Sequence, residues 1–230
     1  MDDVESIAKK IRFEGYAFIN EWQPSLNTEE VASEVGSILD VEKYLPNAGI
    51  GKIQRLNPKE PSKELINQYS GSYGLDEFPF HSDLAHWQIP PRYLLLRCIR
   101  GYKDVLTNLL PLSVFEKIIE KKYLKFALVC PRRKSGVQTI CPMSIKFKTS
   151  GDVGVRWDLL FLQPLNAPAR EAYKIMLYAP WDEKEIIPAC LEKPGDTLII
   201  DNWKMLHNRT TVPFSSQSRE IERVYLNSIG

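Results

Sequence analysis

Phe78-Pro79-Phe80-His81-Ser82-Asp83 is the stretch on which the architecture of this chain turns. In an extended segment side chains alternate between faces, so His81 and Asp83 project from one side and Ser82 from the other. The sequence holds only 3 histidines. His86 follows closely, and His207 lies far downstream in Asp201-Asn202-Trp203-Lys204-Met205-Leu206-His207-Asn208-Arg209. An imidazole and a carboxylate on adjacent pleats can hold one face of a metal ion, and a distant histidine can close the set. His-x-Asp by itself is common, and a capping or surface histidine beside an acid is its other reading. The surroundings decide between them.

Two histidines and one carboxylate leave half of an octahedron open, the arrangement of non-haem iron(II) sites that activate oxygen, whereas zinc more often collects a third nitrogen or sulfur. Downstream, the turn Gly195-Asp196 leads into the apolar run Thr197-Leu198-Ile199-Ile200-Asp201, followed by His207 and Arg209. Arg219 and Arg223 then fall in Arg219-Glu220-Ile221-Glu222-Arg223-Val224-Tyr225-Leu226, where strand alternation puts 219, 221 and 223 on one face. Two arginines on one face are costly if buried without partners, so either that face is wet or both guanidinium groups meet anions. A planar guanidinium grips a carboxylate through two parallel hydrogen bonds, which suits a dicarboxylate.

Around these segments the chain reads as strands with a few helices. Val4, Ile7, Ala8 and Ile11 form one apolar stripe ended by Gly15, and Tyr16–Ile19 is a short buried strand. Asn27-Thr28-Glu29-Glu30 opens a second helix whose stripe is Val31, Val35, Ile38 and Leu39. Ser113 with Glu116 predicts a capping box, and Pro168 to Leu177 a further helix. Strands are expected at 93–99, 124–130, 138–147, 153–157, 197–201 and 221–229, while 46–74 is rich in glycine and proline and reads as loop. Regular helices do not separate the strands, so a doubly wound parallel sheet is excluded and a mainly β fold with flanking helices is expected.

The 230 residues suffice for a full core in a single domain, expected over 1–230. With 43% hydrophobic and 26% charged residues, collagen-like, disordered and coiled-coil classes are excluded. Net charge is +1, which leaves no global field for nucleic acid or an anionic membrane, and no run is long and apolar enough to span a bilayer. Met1-Asp2-Asp3-Val4-Glu5 is acidic where a signal peptide is basic, so a cytoplasmic location is expected. Cys98, Cys130, Cys141 and Cys190 form no C-x-x-C pair, which points to reduced, mostly buried thiols rather than a disulfide framework or structural zinc. Oligomeric state leaves no trace in the sequence.

Taken together, Phe78 to Asp83, the following Pro90-Pro91-Arg92-Tyr93 and Leu94-Leu95-Leu96-Arg97-Cys98, the Gly195-Asp196 turn, Asp201-Asn202 before His207-Asn208-Arg209, and Arg219-x-x-x-Arg223 resemble the iron(II)- and 2-oxoglutarate-dependent dioxygenases of the taurine dioxygenase superfamily, in particular its clavaminate synthase-like branch. The resemblance runs from about Gly15 to the end of the chain. It implies a double-stranded β-helix, the distorted jelly roll, with the metal at one open end. It further implies His81, Asp83 and His207 as ligands of Fe(II), Arg219 as the anchor of the distal carboxylate of 2-oxoglutarate, and O2 as second cosubstrate. Thr107, 26 residues after His81, matches the threonine that shares that carboxylate, although Gly101-Tyr102-Lys103-Asp104 before it departs from the usual glycine-rich turn. In halogenating relatives a small residue replaces the carboxylate ligand, so Asp83 implies hydroxylation or another oxidation of an unactivated C–H bond in a small molecule, such as an amino acid or a natural-product intermediate, with release of succinate and CO2.

Further candidates for the substrate side are Arg223, Arg156, His86 and Trp87. Arg223 can meet a substrate acid, close the cosubstrate pocket or pack; Arg156 can approach the site or form a structural bridge; His86 and Trp87 can shape a pocket or lie at the surface. Two other classes use the same residues: a non-catalytic jelly-roll binding module, and a zinc-dependent hydrolase built on the same triad. Gly49-Ile50-Gly51-Lys52 lacks the first glycine and the closing Ser or Thr of a phosphate loop, and Arg132-Arg133-Lys134 is a short basic turn rather than a nucleic-acid patch.

Overall fold

The structure is a computed structural model and describes residues 3–44, 50–61, 68–132, 139–146, 151, 153–178 and 181–230. Gly49 of the phosphate-loop-like stretch, Arg133 and Lys134 of the basic turn, and the two ends of the expected strand 138–147 lie outside the described residues. The strands are β1 Tyr16–Ile19, β2 Gly36–Ile38, β3 Ile53–Leu56, β4 Tyr93–Arg100, β5 Leu106–Pro111, β6 Leu128–Pro131, β7 Cys141–Pro142, β8 Ser144–Lys146, β9 Val153–Val155, β10 Leu162–Pro164, β11 Ile187–Cys190, β12 Thr197–Asp201, β13 Met205–Arg209 and β14 Glu220–Ile229. The helices are α1 Val4–Glu14, α2 Thr28–Val35, α3 Val41–Tyr44, α4 Tyr69–Tyr73, α5 Leu112–Ile118, α6 Lys121–Phe126 and α7 Ala167–Tyr178.

The pairings are antiparallel throughout. The larger sheet runs β1-β12-β4-β14-β2, and the first half of β14 also pairs with β3. A second sheet runs β11-β5-β13, a third β10-β6-β7, and β8 pairs with β9. Strand alternation assigns every side chain to a layer. Leu94, Leu96 and Leu198 of the large sheet meet Leu109, Ala189 and Met205 of the β5 sheet in one buried cluster. From the opposite face of the large sheet, Tyr93, Leu95 and Ile199 pack on Ile7, Ile11, Val31 and Val35 of α1 and α2. Leu110 and Leu206, on the far face of the β5 sheet, pack with Ala172, Tyr173 and Met176 of α7. Both sheets are therefore apolar on both faces, and the chain is mostly β with helices outside, as expected.

Local chemistry explains the boundaries. Asp3 caps α1 by accepting from the Ser6 N–H at 2.7 Å, and Gly15 ends it at φ +88°, a left-handed conformation open to glycine. In α2 Asn27 and Glu30 form a reciprocal capping box with two 2.9 Å bonds. This helix stops at Val35, so Ile38 and Leu39 do not continue its stripe. A Cβ on Gly36 would lie 1.9 Å from the Ser228 carbonyl oxygen, so the chain passes there as bare backbone and enters β2.

Several expectations need correction. Helix α5 begins at Leu112, so Ser113 lies inside it and does not cap it. Residues 124–126 belong to α6, and the strand starts only at Leu128. The region read as loop contains β3 and α4, and β2, β5, β10, β11 and β13 were not read from the sequence. Cys98, Cys130, Cys141 and Cys190 are all free thiols, three of them buried. No helix among the described residues is long and apolar enough to cross a membrane.

Candidate metal centre

The site begins with a backbone pairing. His81 and His207 lie opposite each other in an antiparallel bridge, each N–H donating to the other's carbonyl at 3.0 Å. Their rings come to 4.4 Å between centroids. The ring nitrogen Nδ1 of His81 lies 2.9 Å from the Pro79 carbonyl oxygen. A carbonyl only accepts, so Nδ1 carries a proton, which leaves Nε2 as the ring nitrogen able to ligate a metal. The next residues are fastened from two sides. Ser82 turns away, as alternation requires, and its Oγ accepts from the Trp157 N–H at 3.0 Å. The Asp83 N–H donates to Asn202 Oδ1 at 2.8 Å, and Asn202 Nδ2 donates back to the Asp83 carbonyl at 3.0 Å.

These constraints bring three side chains together. Asp83 Oδ1 lies 3.6 Å from Nε2 of His81 and 3.6 Å from Nε2 of His207, too far for hydrogen bonds. One ligand atom from each of the three residues lies within 4.8 Å of the others, and all three residues are buried. Asp83 Oδ2 is engaged elsewhere: it accepts from Arg223 Nη1 at 3.0 Å and from the Tyr225 hydroxyl at 3.0 Å. Burial pushes the Asp83 carboxyl up, but the Arg223 guanidinium and the two imidazoles outweigh it and hold it well below its ordinary value. Burial and the neighbouring His81 push His207 down, toward the neutral form. Tyr69 stacks on His81 at 4.1 Å between centroids.

The three residues line a cavity of about 1670 Å³. Arg219 lines it too, is 5% exposed, and its Nε is buried without a hydrogen-bond partner. Burial pushes its guanidinium down to about 10, partly offset by the Cys98 and Cys190 thiols, and no acid among the described residues contributes. Thr107 lines the same cavity from β5, opposite Arg209 of β13. Arg209 is held in place: its Nη2 donates to the carbonyls of Gly74 and Asp76 at 2.8 and 2.6 Å, and its guanidinium lies 3.7 Å from the Phe78 ring centroid. A buried guanidinium with no acid is a site that an anion completes.

His86 and Trp87 line the cavity, and His86 Nδ1 and Trp87 Nε1 are buried without partners. Burial and the Arg156 charge lower the His86 imidazole, so it is held neutral. Arg223 lines the cavity as well, but its guanidinium is engaged by Asp83 and by Gln54. Arg156 does not line it. This residue is 1% exposed and donates to the carbonyls of Ala85, Trp87 and Gln88, so it fastens the turn that carries His86 and Trp87 instead of meeting a substrate.

Sequence reasoning passed over Asp158. This cavity-lining carboxylate is 1% exposed, and its Oδ1 accepts from the N–H groups of Leu160 and Phe161, each at 2.8 Å. Burial pushes it up, offset by His81 and by the two backbone N–H groups. Asn202 and Tyr225 were also passed over as supports of Asp83.

No protein-family model matches the chain. Among solved structures, an asparagine oxygenase in complex with Fe(II), 3-hydroxyasparagine and succinate superposes with a TM-score of 0.69 at 16% identity, over 97% of this chain and 78% of that one. A taurine dioxygenase from Burkholderia xenovorans superposes at 0.70 and 14% identity, over 99% of this chain and 81% of that one. PvcB, an iron- and alpha-ketoglutarate-dependent oxygenase from an isonitrile synthetic pathway, superposes at 0.65 and 13% identity, over 98% and 83%. The chain has the fold of these oxygenases. At such identities the likeness is one of fold, and within this oxygenase fold the His81–Asp83–His207 cluster is defined by the chain's own geometry.

Proposed function

We propose that the chain is a single-domain iron(II)- and 2-oxoglutarate-dependent oxygenase on a double-stranded β-helix, oxidising a C–H bond of a small molecule. The observation that carries this reading is the convergence of two imidazole Nε2 atoms and one carboxylate oxygen, none used in a hydrogen bond, on one buried point of a large cavity. The residues fit the group. Two nitrogens and one hard oxygen suit iron(II) and leave half of its octahedron open. Bound there, iron(II) would supply the oxygen-activating chemistry in which 2-oxoglutarate becomes succinate and CO2 while O2 oxidises the substrate.

The chain's residues do the rest. Arg219, buried with no acidic partner among the described residues, is the group that holds the distal carboxylate of 2-oxoglutarate, with Thr107 lining the same cavity. Neutral His86 and the indole N–H of Trp87 offer free polar atoms to the substrate. Asp158 offers a buried, cavity-lining carboxylate in no salt bridge among the described residues, which fits a substrate ammonium group. An amino acid carries that group, and the asparagine oxygenase of the same fold holds a hydroxylated amino acid.

The test is an anaerobic optical titration in which metal-free protein receives iron(II) and then 2-oxoglutarate. A visible charge-transfer band between iron and keto acid is expected, and at the same cosubstrate concentration it is lost in Arg219→Ala. Bound iron without the band in the wild type rejects the oxygenase reading.

A further inference from the structure

The sequence leaves Arg223 free to meet a substrate acid, to close the cosubstrate pocket or to pack, and in the structure its donors are turned to the protein. We propose that Arg223, with Tyr225 and Gln54, is a positioning residue of the metal centre: the three fix the Asp83 carboxylate so that one oxygen alone, Oδ1, is offered to the metal. The inference rests on the iron-centre reading above and deepens it.

Residues 223 and 225 are two apart on β14, so both side chains project from one face, and both reach the same oxygen. Arg223 Nη1 and the Tyr225 hydroxyl each donate to Asp83 Oδ2 at 3.0 Å. The guanidinium is clamped from behind. In the β14–β3 register Arg223 lies directly opposite Gln54, and Gln54 Oε1 accepts from Arg223 Nε at 3.2 Å and from Nη2 as well. The backbone of Asp83 is fixed independently by Asn202. With its main chain and one oxygen held, the carboxylate has no freedom to rotate, and Oδ1 is left facing both imidazoles at 3.6 Å.

The arrangement decides how many metal positions stay open. Two imidazoles and one carboxylate oxygen occupy three positions of an octahedral ion and leave three for cosubstrate and oxygen. A carboxylate binding through both oxygens would take one of those three. Two donors on Oδ2, one of them cationic, prevent this by engaging its lone pairs. A substrate acid that sought Arg223 would first have to displace Asp83, so the charge that recognises substrate must lie elsewhere in the cavity.

Cobalt(II) tests this without turnover, because its visible ligand-field band reports coordination number. Metal-free full-length protein is titrated with cobalt(II) by calorimetry and by absorbance, for the wild type, His207→Ala, Tyr225→Phe and Gln54→Leu, with circular dichroism to confirm the fold of each. Supporting residues around metal ligands typically contribute 10–100-fold in affinity. Tyr225→Phe is expected to weaken cobalt(II) binding about ten-fold and to change the ligand-field band. Gln54→Leu, which reaches Asp83 only through Arg223, is expected to move both readouts in the same direction, and it decides the matter should Tyr225→Phe misfold. Wild-type affinity and an unchanged band in a folded variant overturn the inference while leaving the metal centre standing. A wild type that binds no cobalt(II), or binds it as His207→Ala does, overturns the metal centre and this inference together.

Discussion

Arg156 shows how a buried charge in this chain shapes the cavity it does not enter. Its guanidinium donates to the Ala85 carbonyl at 2.9 Å, to the Trp87 carbonyl, and to the Gln88 carbonyl at 3.0 Å, and these oxygens take no other donor among the described residues. Arg156→Met fills most of the volume and removes all three bonds. Each buried carbonyl left without a donor costs about 1–3 kcal/mol. Part of that sum is returned because a guanidinium no longer has to be stripped of water. The net expectation is a loss of about 3–4 kcal/mol, a large share of the roughly 5–15 kcal/mol that stabilises a typical fold. With a urea slope of about 3 kcal/mol per molar, the upper end for small proteins, the unfolding midpoint falls by about 1 M. Arg156→Lys, whose ammonium cannot span three carbonyls, falls between the two. Cobalt(II) affinity stays within about two-fold of wild type in Arg156→Lys, because Asp83 is held by Asn202, Arg223 and Tyr225. A midpoint in Arg156→Met equal to wild type would refute the assignment of this residue as the fastening of the 85–88 turn.

Two further outcomes are expected. In the chelator-treated protein, Asp83 sits well below its ordinary value of 3.8, so its contribution to stability is complete above that value and is lost as the pH falls below it. Urea midpoints taken from neutral pH down to about 3 should therefore fall more steeply in wild type than in Asp83→Asn, and parallel curves would contradict the shift. Gly101→Ala places a Cβ 2.1 Å from the Leu191 carbonyl oxygen and 2.4 Å from that of Glu192, both backbone atoms. An overpacking loss of about 2–3 kcal/mol and a melting temperature lower by roughly 5–10 °C are expected, and an unchanged melting curve would show that this close approach is not rigid.

What was legible in the sequence was what local spacing determines. His81 and Asp83 are two apart, and alternation alone gives them a common side; Asp3, Gly15 and the Asn27–Glu30 box mark helix ends by their own chemistry. Strands β5, β11 and β13 escaped because their sequences break the usual apolar pattern. Strand β11 contains Pro188, tolerated because the strand lies at a sheet edge, and β13 carries His207, Asn208 and Arg209 where a core strand would carry aliphatics. The polar residues that form the site are the ones that hide its strands. Partners set by register were equally hidden. Nothing near Arg223 announces that Gln54 lies across from it or that Asp83 lies in front, and nothing near Asp158 marks it among 29 acidic residues as the carboxylate lining the cavity. For Arg156 the sequence left approach to the site and a structural bridge equally open, and only the fold shows three carbonyls turned toward it.

The backbone bridge between His81 and His207 ties two positions separated by 126 residues. Closing a loop of that length is an entropic debt settled only when the strands around it are in register, so the ligand set is among the last local geometries the chain can acquire. Metal affinity thereby becomes a gauge of global closure. Any ion that binds the closed chain and not the open one stabilises it by mass action, and a remote substitution weakens the grip on the ion once it loosens the closure enough to populate the open chain.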